Sequence, residues 1–285
     1  MKHYSMQVSE LDLQKLNKMY ANLLVKDDNQ YLLFHAKHIE THILAYTNGK
    51  VLLQGDQVDQ EIILIKKHLG LEDYAAIGSD EVGTGDVFGP IVVCTAYVEP
   101  SMMPMLDSLN VRDSKLMTDK VILQIGSKLA KDIPHTLLIL SPTKYNELSK
   151  KSVNLNKMKA LLHNQAIIKT AAKVDKQVPV ILDQFCQPNL YFNYLSEETL
   201  VYRQINFYTK AESVHISVAV ASIIARYAFL VRMVQLSKKF KLPLKKGASA
   251  LVDEQVKELI DRGDLKRLHE VAKMNFKNVT KQLEV

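Results

Sequence analysis

The run Ala75-Ala-Ile-Gly-Ser-Asp-Glu-Val-Gly-Thr-Gly-Asp-Val-Phe-Gly-Pro90 places two adjacent carboxylates, Asp80 and Glu81, between an apolar strand and a glycine-rich turn. Side chains alternate faces along a regular strand, so the pair is expected to converge only where the strand breaks, and Gly83 and Gly85 mark such a break. Glycines there also let backbone N–H groups come close to a ligand, as at many phosphate-binding turns. Two further carboxylates stand at similar junctions. Asp183 ends the apolar run Val178-Pro-Val-Ile-Leu182, and Glu212 lies in Lys210-Ala-Glu-Ser-Val-His-Ile-Ser at the entry to a long apolar stretch. Each has an ordinary explanation alone: a solvated turn for the pair, a turn or cap for Asp183, an N-terminal dipole partner for Glu212. Together they are four carboxylates on separate elements that a sheet could bring to one point. Mg²⁺ binds carboxylate and phosphate oxygens. Two such ions ~3.5–4 Å apart activate a water and stabilise the departing oxygen during in-line displacement at phosphorus. Four close carboxylates repel one another without cations or protons, so convergence would favour metal loading.

The elements that must position these groups follow from periodicity. Leu11–Leu24 has the spacing of an amphipathic helix, Tyr31–Ala36, His42–Thr47 and Val51–Gln54 read as strands, and Gln57–Leu69 is helical again. Asn48-Gly49 is a hairpin turn. Residues 1–70 thus form an α-β-β-β-α unit, followed by Gly70-Leu-Glu-Asp-Tyr as a linker. From Ala75 apolar strands alternate with longer helices: strands at Ala75–Gly78, Ile91–Val98, Thr136–Leu140, Val178–Leu182 and Leu200–Phe207, helices at Thr118–Lys131, Asn156–Val174, Ile216–Lys239 and Asp253–Arg262. The expected fold is an α/β domain with a mixed sheet over residues 71–285.

Composition narrows the partners. The 285 residues are 47% hydrophobic and 24% charged, enough apolar content for a sizeable core. Residues 1–70 carry 8 lysines, no arginine and 8 acidic residues, so the excess of +6 lies wholly in residues 71–285 and suits a polyanion without demanding one. Met1–Glu10 is polar and has no signal-peptide core, and no run of about 18 apolar residues suggests a membrane span. Cys94 and Cys186 form no metal-type spacing, which with the absent leader makes a cytoplasmic protein with reduced thiols the expectation.

The acidic run resembles the opening motif of the type 2 ribonucleases H, in the form typical of the ribonuclease HIII branch. The resemblance continues at Val111-Arg-Asp-Ser-Lys-Leu-Met-Thr-Asp119, Asn154-Leu-Asn-Lys-Met-Lys-Ala-Leu-Leu-His-Asn164, Leu182-Asp-Gln-Phe and Lys210-Ala-Glu-Ser-Val-His-Ile-Ser-Val-Ala-Val-Ala-Ser-Ile-Ile-Ala-Arg226, in the family's order across roughly Ala75–Thr280. It implies a ribonuclease H-like catalytic domain and a small α+β N-terminal domain resembling half of the TATA-binding protein fold, whose hairpin Tyr46-Thr-Asn-Gly-Lys-Val-Leu-Leu-Gln-Gly55 resembles. It also implies a hydrolase, an endonuclease cutting the RNA strand of RNA–DNA hybrids to leave 3′-hydroxyl and 5′-phosphate ends. Asp80, Glu81, Asp183 and Glu212 would be its catalytic metal ligands, for Mg²⁺ or Mn²⁺, with two ions when substrate is bound. Glu in the fourth position favours the HIII branch. Backbone groups of Gly83, Thr84 and Gly85 would contact 2′-hydroxyls, with Asp86 a turn residue beyond them. Lys115, Lys50 and Gln54 are candidate hybrid contacts, and the family implies a monomer.

Other features carry plainer alternatives. Lys238, Lys239, Lys241, Lys245 and Lys246 are either a solvated basic face or phosphate contacts. His3, His35, His38, His42 and His68 match no zinc template. His215 is placed for second-shell help or simple packing. A binding protein that keeps the fold has no reason to set four carboxylates against phosphates. A DNA nuclease or strand transferase on the same fold would not call for the Gly-Thr-Gly loop or the Asp-Ser-Lys segment.

Overall fold

Alternation of apolar residues builds the N-terminal sheet. In the computed structural model, which describes residues 2–69 and 74–283, strands β1 (Lys2–Gln7), β2 (Leu32–His38), β3 (Thr41–Tyr46) and β4 (Lys50–Gly55) form an antiparallel sheet in the order β1-β4-β3-β2. Phe34, Ala36, Ile43, Ala45, Val51 and Leu53 all point to one face and are buried there. Helices α1 (Glu10–Met19) and α2 (Val58–Leu69) contribute Leu13, Leu16, Val58, Ile62, Ile65 and Leu69 to the same core. Ser9 caps α1 by accepting from the Asp12 amide. Gly49 turns the β3–β4 hairpin at φ 90°, a conformation open to glycine.

The unit is therefore β-α-β-β-β-α, not α-β-β-β-α. The stretch at Met1–Glu10, read as merely polar, contains β1, which pairs with β4 from Lys2↔Gly55 to Gln7↔Lys50. Tyr4 and Met6, with Val8 just beyond the strand, supply its period-two apolar side, too few to register as a pattern before the partner strand is known. An antiparallel sheet covered on one face by helices is consistent with the half TATA-binding protein fold. The expected linker at Gly70–Asp73 lies outside the described residues. By Cα packing the chain divides into Met1–Tyr74 with Pro100–Asp107, and Ala75–Glu99 with Ser108–Val285.

The second unit is built on strands β5 (Ala76–Val82), β6 (Ile91–Val98), β7 (His135–Leu140), β8 (Val180–Asp183) and β9 (Ile205–Tyr208) in the order β7-β6-β5-β8-β9. The β7-β6-β5 half is antiparallel and the β5-β8-β9 half parallel, the mixed sheet that was expected. Helix α3 (Met103–Ser108) falls almost wholly in the first unit, and α4 (Asp119–Asp132), α5 (Pro142–Lys150), α6 (Leu155–Ala171), α7 (Pro188–Tyr194), α8 (Ile216–Phe240), α9 (Ala250–Asp261), α10 (Leu265–Val271) and α11 (Lys277–Leu283) belong to the second. Thr118, Ser141 and Asn154 start α4, α5 and α6 by accepting backbone N–H bonds. The predicted strand at Leu200–Phe207 shortens to Ile205–Tyr208, because only those residues reach β8.

Helix α8 lies on one face of the sheet and α6 on the other. Gly78 lets α8 approach β5: a Cβ there would lie 2.3 Å from the Ser217 carbonyl carbon and the Val218 nitrogen. Helix α8 is long and apolar enough to cross a membrane, but 72% of its most apolar window is buried inside the protein. Its apolarity serves the core. Arg226, one of the charges that interrupt it, donates to the Met117 carbonyl and to Asp119.

Candidate active site

Strand β5 does not break at the acidic pair. It pairs with β6 through Asp80↔Cys94 and Glu81↔Val93 as far as Val82↔Val92, so the strand ends at Gly83 as the glycines indicated, but only after both acids. Alternation holds instead, and the two carboxylates leave β5 toward opposite helical layers. Asp80 shares the α8 face with Gly78, and the Ser222 hydroxyl of α8 donates to it. Glu81 shares the α6 face with Ser79, and α6 supplies its partners: Lys159 Nζ donates to Oε1 at 2.9 Å and His163 Nε2 bonds Oε2 at 3.0 Å. The pair stays close because it sits at the strand end, and the Glu81 amide donates back to Asp80 Oδ1 at 2.7 Å.

Sheet register brings the third carboxylate. Parallel pairing sets Ser79 against Leu182, so the next residues, Asp80 and Asp183, are neighbours on the α8 face. The charge of Asp183 is felt at Asp80. Asp183 Oδ1 also accepts from the Ala211 amide at 2.9 Å, which ties the end of β8 to the short 3-10 turn Ala211–Ser213 carrying Glu212. The structure thus gathers Asp80, Glu81 and Asp183 at one sheet edge and anchors the turn of Glu212 to Asp183. Among the described residues, no group of three or more His, Cys, Asp or Glu side chains is placed so that it could hold a metal ion as it stands.

The electrostatics split the pair. Burial pushes the Asp80 carboxyl well above the carboxylate range, and the charges of Glu81 and then Asp183 add to this against the hydrogen bonds from Ser222 and the Glu81 amide. Burial also pushes Glu81 up, but the His163 hydrogen bond and charge, with Lys159, outweigh it and hold Glu81 below its ordinary value. One carboxylate is therefore reluctant to ionise while its neighbour is firmly ionised.

The glycine loop follows directly. Gly83 has φ 88° and no room for a Cβ, which would lie 2.2 Å from the Pro90 carbonyl. Gly85 is exposed, with open space where a Cβ would project. Thr84 is half-buried between them. Asp86 is a fastening point: its Oδ1 accepts from the Gly247 amide at 2.6 Å, while Val87 donates to the Gly247 carbonyl at 3.0 Å. Lys273, fully buried, donates to the carbonyls of Asp86 and Gly89 at 2.7 and 2.8 Å. Burial lowers its pKa to about 7.

The remaining candidates are dispersed. Lys115 lies on the 3-10 segment Val111–Leu116, with its side chain outside the described ones. Lys50 and Gln54 alternate with the buried Val51 and Leu53, so they occupy the sheet face of the first unit that α1 and α2 leave open. In the basic stretch, Lys239 pairs with Glu270 at 3.0 Å and Lys246 pairs with Asp119. His35 bonds Asp27 and His42, and His38 bonds the buried Glu61. His215 caps α8, accepting from the Ser217 amide at its own Nδ1. Sequence reasoning assigned no role to Lys159, His163, Ser222, Phe185 or Lys273. The signal for the first two was the i,i+4 spacing of Lys159 and His163 on a helix due to be buried.

Comparison with known proteins identifies the family and the fold. A family model described as Ribonuclease HII matches residues 77–279, and one described as a domain of unknown function (DUF3378) matches residues 3–62. The fold and family are those of a ribonuclease H, a hydrolase of the type that cleaves the RNA of RNA–DNA hybrids. The ribonuclease HIII of Phytoplasma mali is 48% identical over 284 residues, 99% of each chain, and that of Bacillus pumilus is 40% identical over 292 residues, 95% of each. The crystal structure of Bst-RNase HIII in complex with Mn²⁺ superposes with a TM-score of 0.74 at 37% identity, covering 99% of this chain and 98% of that one. The chain belongs to the ribonuclease HIII branch of the ribonuclease HII family.

Proposed function

We propose that this chain hydrolyses the RNA strand of RNA–DNA hybrids with two divalent cations, Mg²⁺ or Mn²⁺, held by Asp80, Glu81, Asp183 and Glu212. The observation that carries this reading is the register of β5 and β8, which sets Asp80 beside Asp183 and next to Glu81. The donor set fits such ions. Asp80 is held above its ordinary range by burial and by two neighbouring negative charges, a penalty that a cation removes. An open set of carboxylates also suits Mg²⁺, which completes its coordination with water and substrate phosphate oxygens rather than in an all-protein cage. A neighbour of the same fold was crystallised with Mn²⁺.

When bound, the cations supply water activation and charge stabilisation for in-line displacement at phosphorus, leaving a 3′-hydroxyl and a 5′-phosphate. The chain's residues do the positioning. Ser222 orients Asp80, the Ala211 amide orients Asp183, and Lys159 with His163 fix Glu81. Gly83, Thr84 and Gly85 present backbone groups to the 2′-hydroxyls that separate RNA from DNA, and the missing Cβ of Gly85 leaves space for close approach. Residues 1–70 act as the hybrid-binding domain, with Lys50 and Gln54 on its open sheet face, and Lys115 contacts the backbone near the site. The protein acts as a monomer, and unpaired Cys94 and Cys186 suit a cytoplasmic setting.

The test is cleavage of matched hybrid, duplex DNA and duplex RNA with and without Mg²⁺, with end-group analysis of the products. Hybrid alone should be cut, and Asp80→Asn should lose the activity. Cutting of duplex DNA, or full activity in Asp80→Asn, would sink the reading. Deleting residues 1–70 should weaken hybrid binding more than it slows saturated turnover.

A further inference from the structure

The segment Asn154–Asn164 supplies a buried polar cluster whose chemistry is left over once the four carboxylates are assigned. Lys159 and His163 stand one helical turn apart on α6, 7% and 0% exposed, and both reach Glu81. Neither belongs in a core unless something repays its desolvation. The ring of His163 is fixed at both nitrogens, by Ser79 Oγ at Nδ1 (2.7 Å) and by Glu81 at Nε2 (3.0 Å). A carboxylate only accepts, so Nε2 carries the proton toward Glu81. Phe185 covers the pair: its ring stacks on His163, centroids 5.4 Å apart and 26° between planes, and the Lys159 ammonium lies 4.0 Å from its centroid. Phe185 follows Asp183 by two residues, so one aromatic ring links the end of β8 to the partners of Glu81.

We propose that His163, together with Lys159, is a positioning residue for Glu81, holding its carboxylate at the end of β5 in the orientation from which it serves the cation-binding cluster. The inference rests on the reading of Glu81 as a metal ligand. Each carboxylate oxygen offers about two acceptor positions. Lys159 takes one on Oε1 and His163 one on Oε2, which leaves a position on each for a cation. The clamp restricts rotation of the carboxylate without using up its donor capacity. It also confines Glu81 to the α6 side of β5 while Asp80 and Asp183 stand on the α8 side, so the cluster is approached from two faces of one sheet edge. Groups that hydrogen-bond a metal ligand typically contribute about 10–100-fold in affinity or activity.

His163 gives the cleaner test, because replacing Lys159 would also remove a positive charge whose loss by itself attracts cations. The experiment titrates Mn²⁺ calorimetrically into the full-length protein and into His163→Met, His163→Gln, Ser79→Ala and Glu81→Gln, with melting curves as folding controls. Hybrid cleavage is followed in parallel for KM and kcat. His163→Met should weaken Mn²⁺ binding about 10-fold or more and lower kcat at limiting Mn²⁺, with KM for the hybrid unchanged. His163→Gln, which can return an N–H near the Nε2 position, should recover most of the loss. If His163→Met does not fold, Ser79→Ala leaves the ring in place and should still weaken Mn²⁺ binding a few-fold. Wild-type Mn²⁺ affinity in a folded His163→Met or Ser79→Ala, alongside weakened binding in Glu81→Gln, overturns the positioning role alone. Unchanged affinity in Glu81→Gln overturns both this inference and the ligand role of Glu81.

Discussion

Replacing Gly78 by Ala tests how closely the catalytic strand depends on the helix that crosses it. The added methyl would sit 2.3 Å from the Ser217 carbonyl carbon and the Val218 nitrogen, and 2.6 Å from the Ser217 oxygen. Carbon contacts relax near 3.5 Å, so β5 and α8 must separate by about 1 Å. Backbone lies on both sides, and no flexible side chain can swing away. Overpacking of this kind costs about 1–3 kcal/mol, and the larger figure applies where only whole elements can move. For a unit of this size a loss of about 2–3 kcal/mol lowers Tm by roughly 4–12 °C. The same displacement moves Asp80, two residues along β5, relative to Ser222 on α8. A misplacement of about 1 Å costs on the order of 100-fold in rate. Thermal melting monitored by circular dichroism and single-turnover hybrid cleavage read the two effects separately. An alanine variant with wild-type Tm and wild-type kcat would refute the close packing of β5 on α8.

Three other outcomes follow from the site. Asp80→Asn should abolish cleavage yet raise Tm in metal-free buffer at neutral pH, by on the order of 1 kcal/mol or roughly 2–4 °C, because it removes a buried charge beside Glu81 and Asp183; a lowered Tm would contradict the repulsion. Lys273 has a folded-state pKa near 7 against an ordinary value of 10.5. Between these values the unfolded chain holds the extra proton, so stability should rise with pH from about 7 toward 10, by at most ~1.4 kcal/mol per pH unit. Urea unfolding of wild type and Lys273→Met across that range checks this, and identical slopes would exclude it. Phe185→Leu removes the surface that stacks on His163 and faces Lys159, and should cost about 1–3 kcal/mol with a fall in kcat at constant KM. A change in hybrid KM alone would instead make Phe185 a substrate contact.

Local features of the chain were legible because they are enforced locally. Gly49 turns a hairpin since few residues other than glycine tolerate its φ of 90°, and the apolar run Ile91–Val98 becomes the strand buried along its whole length. The caps at Thr118 and Asn154 fall within a residue or two of the expected helix starts. Strand β1 escaped notice because its apolar face consists of Tyr4 and Met6 alone and gains its meaning from β4, more than 40 residues away.

The Asp80–Glu81 pair shows the division most clearly. Its place at the end of an apolar strand, before a turn that needs glycine at Gly83, was set by the sequence alone, because residue type and short-range sterics decide both. The direction of each carboxylate was not. The glycines placed the end of β5 correctly after Val82, yet hydrogen bonding to β6 carries the strand through both acids and sends them to opposite faces. Only the tertiary structure could then decide that Asp80 meets Ser222 and Asp183 while Glu81 meets Lys159 and His163. Those partners come from elements up to about 140 residues away along the chain, and their selection depends on sheet order and register, which no local spacing encodes.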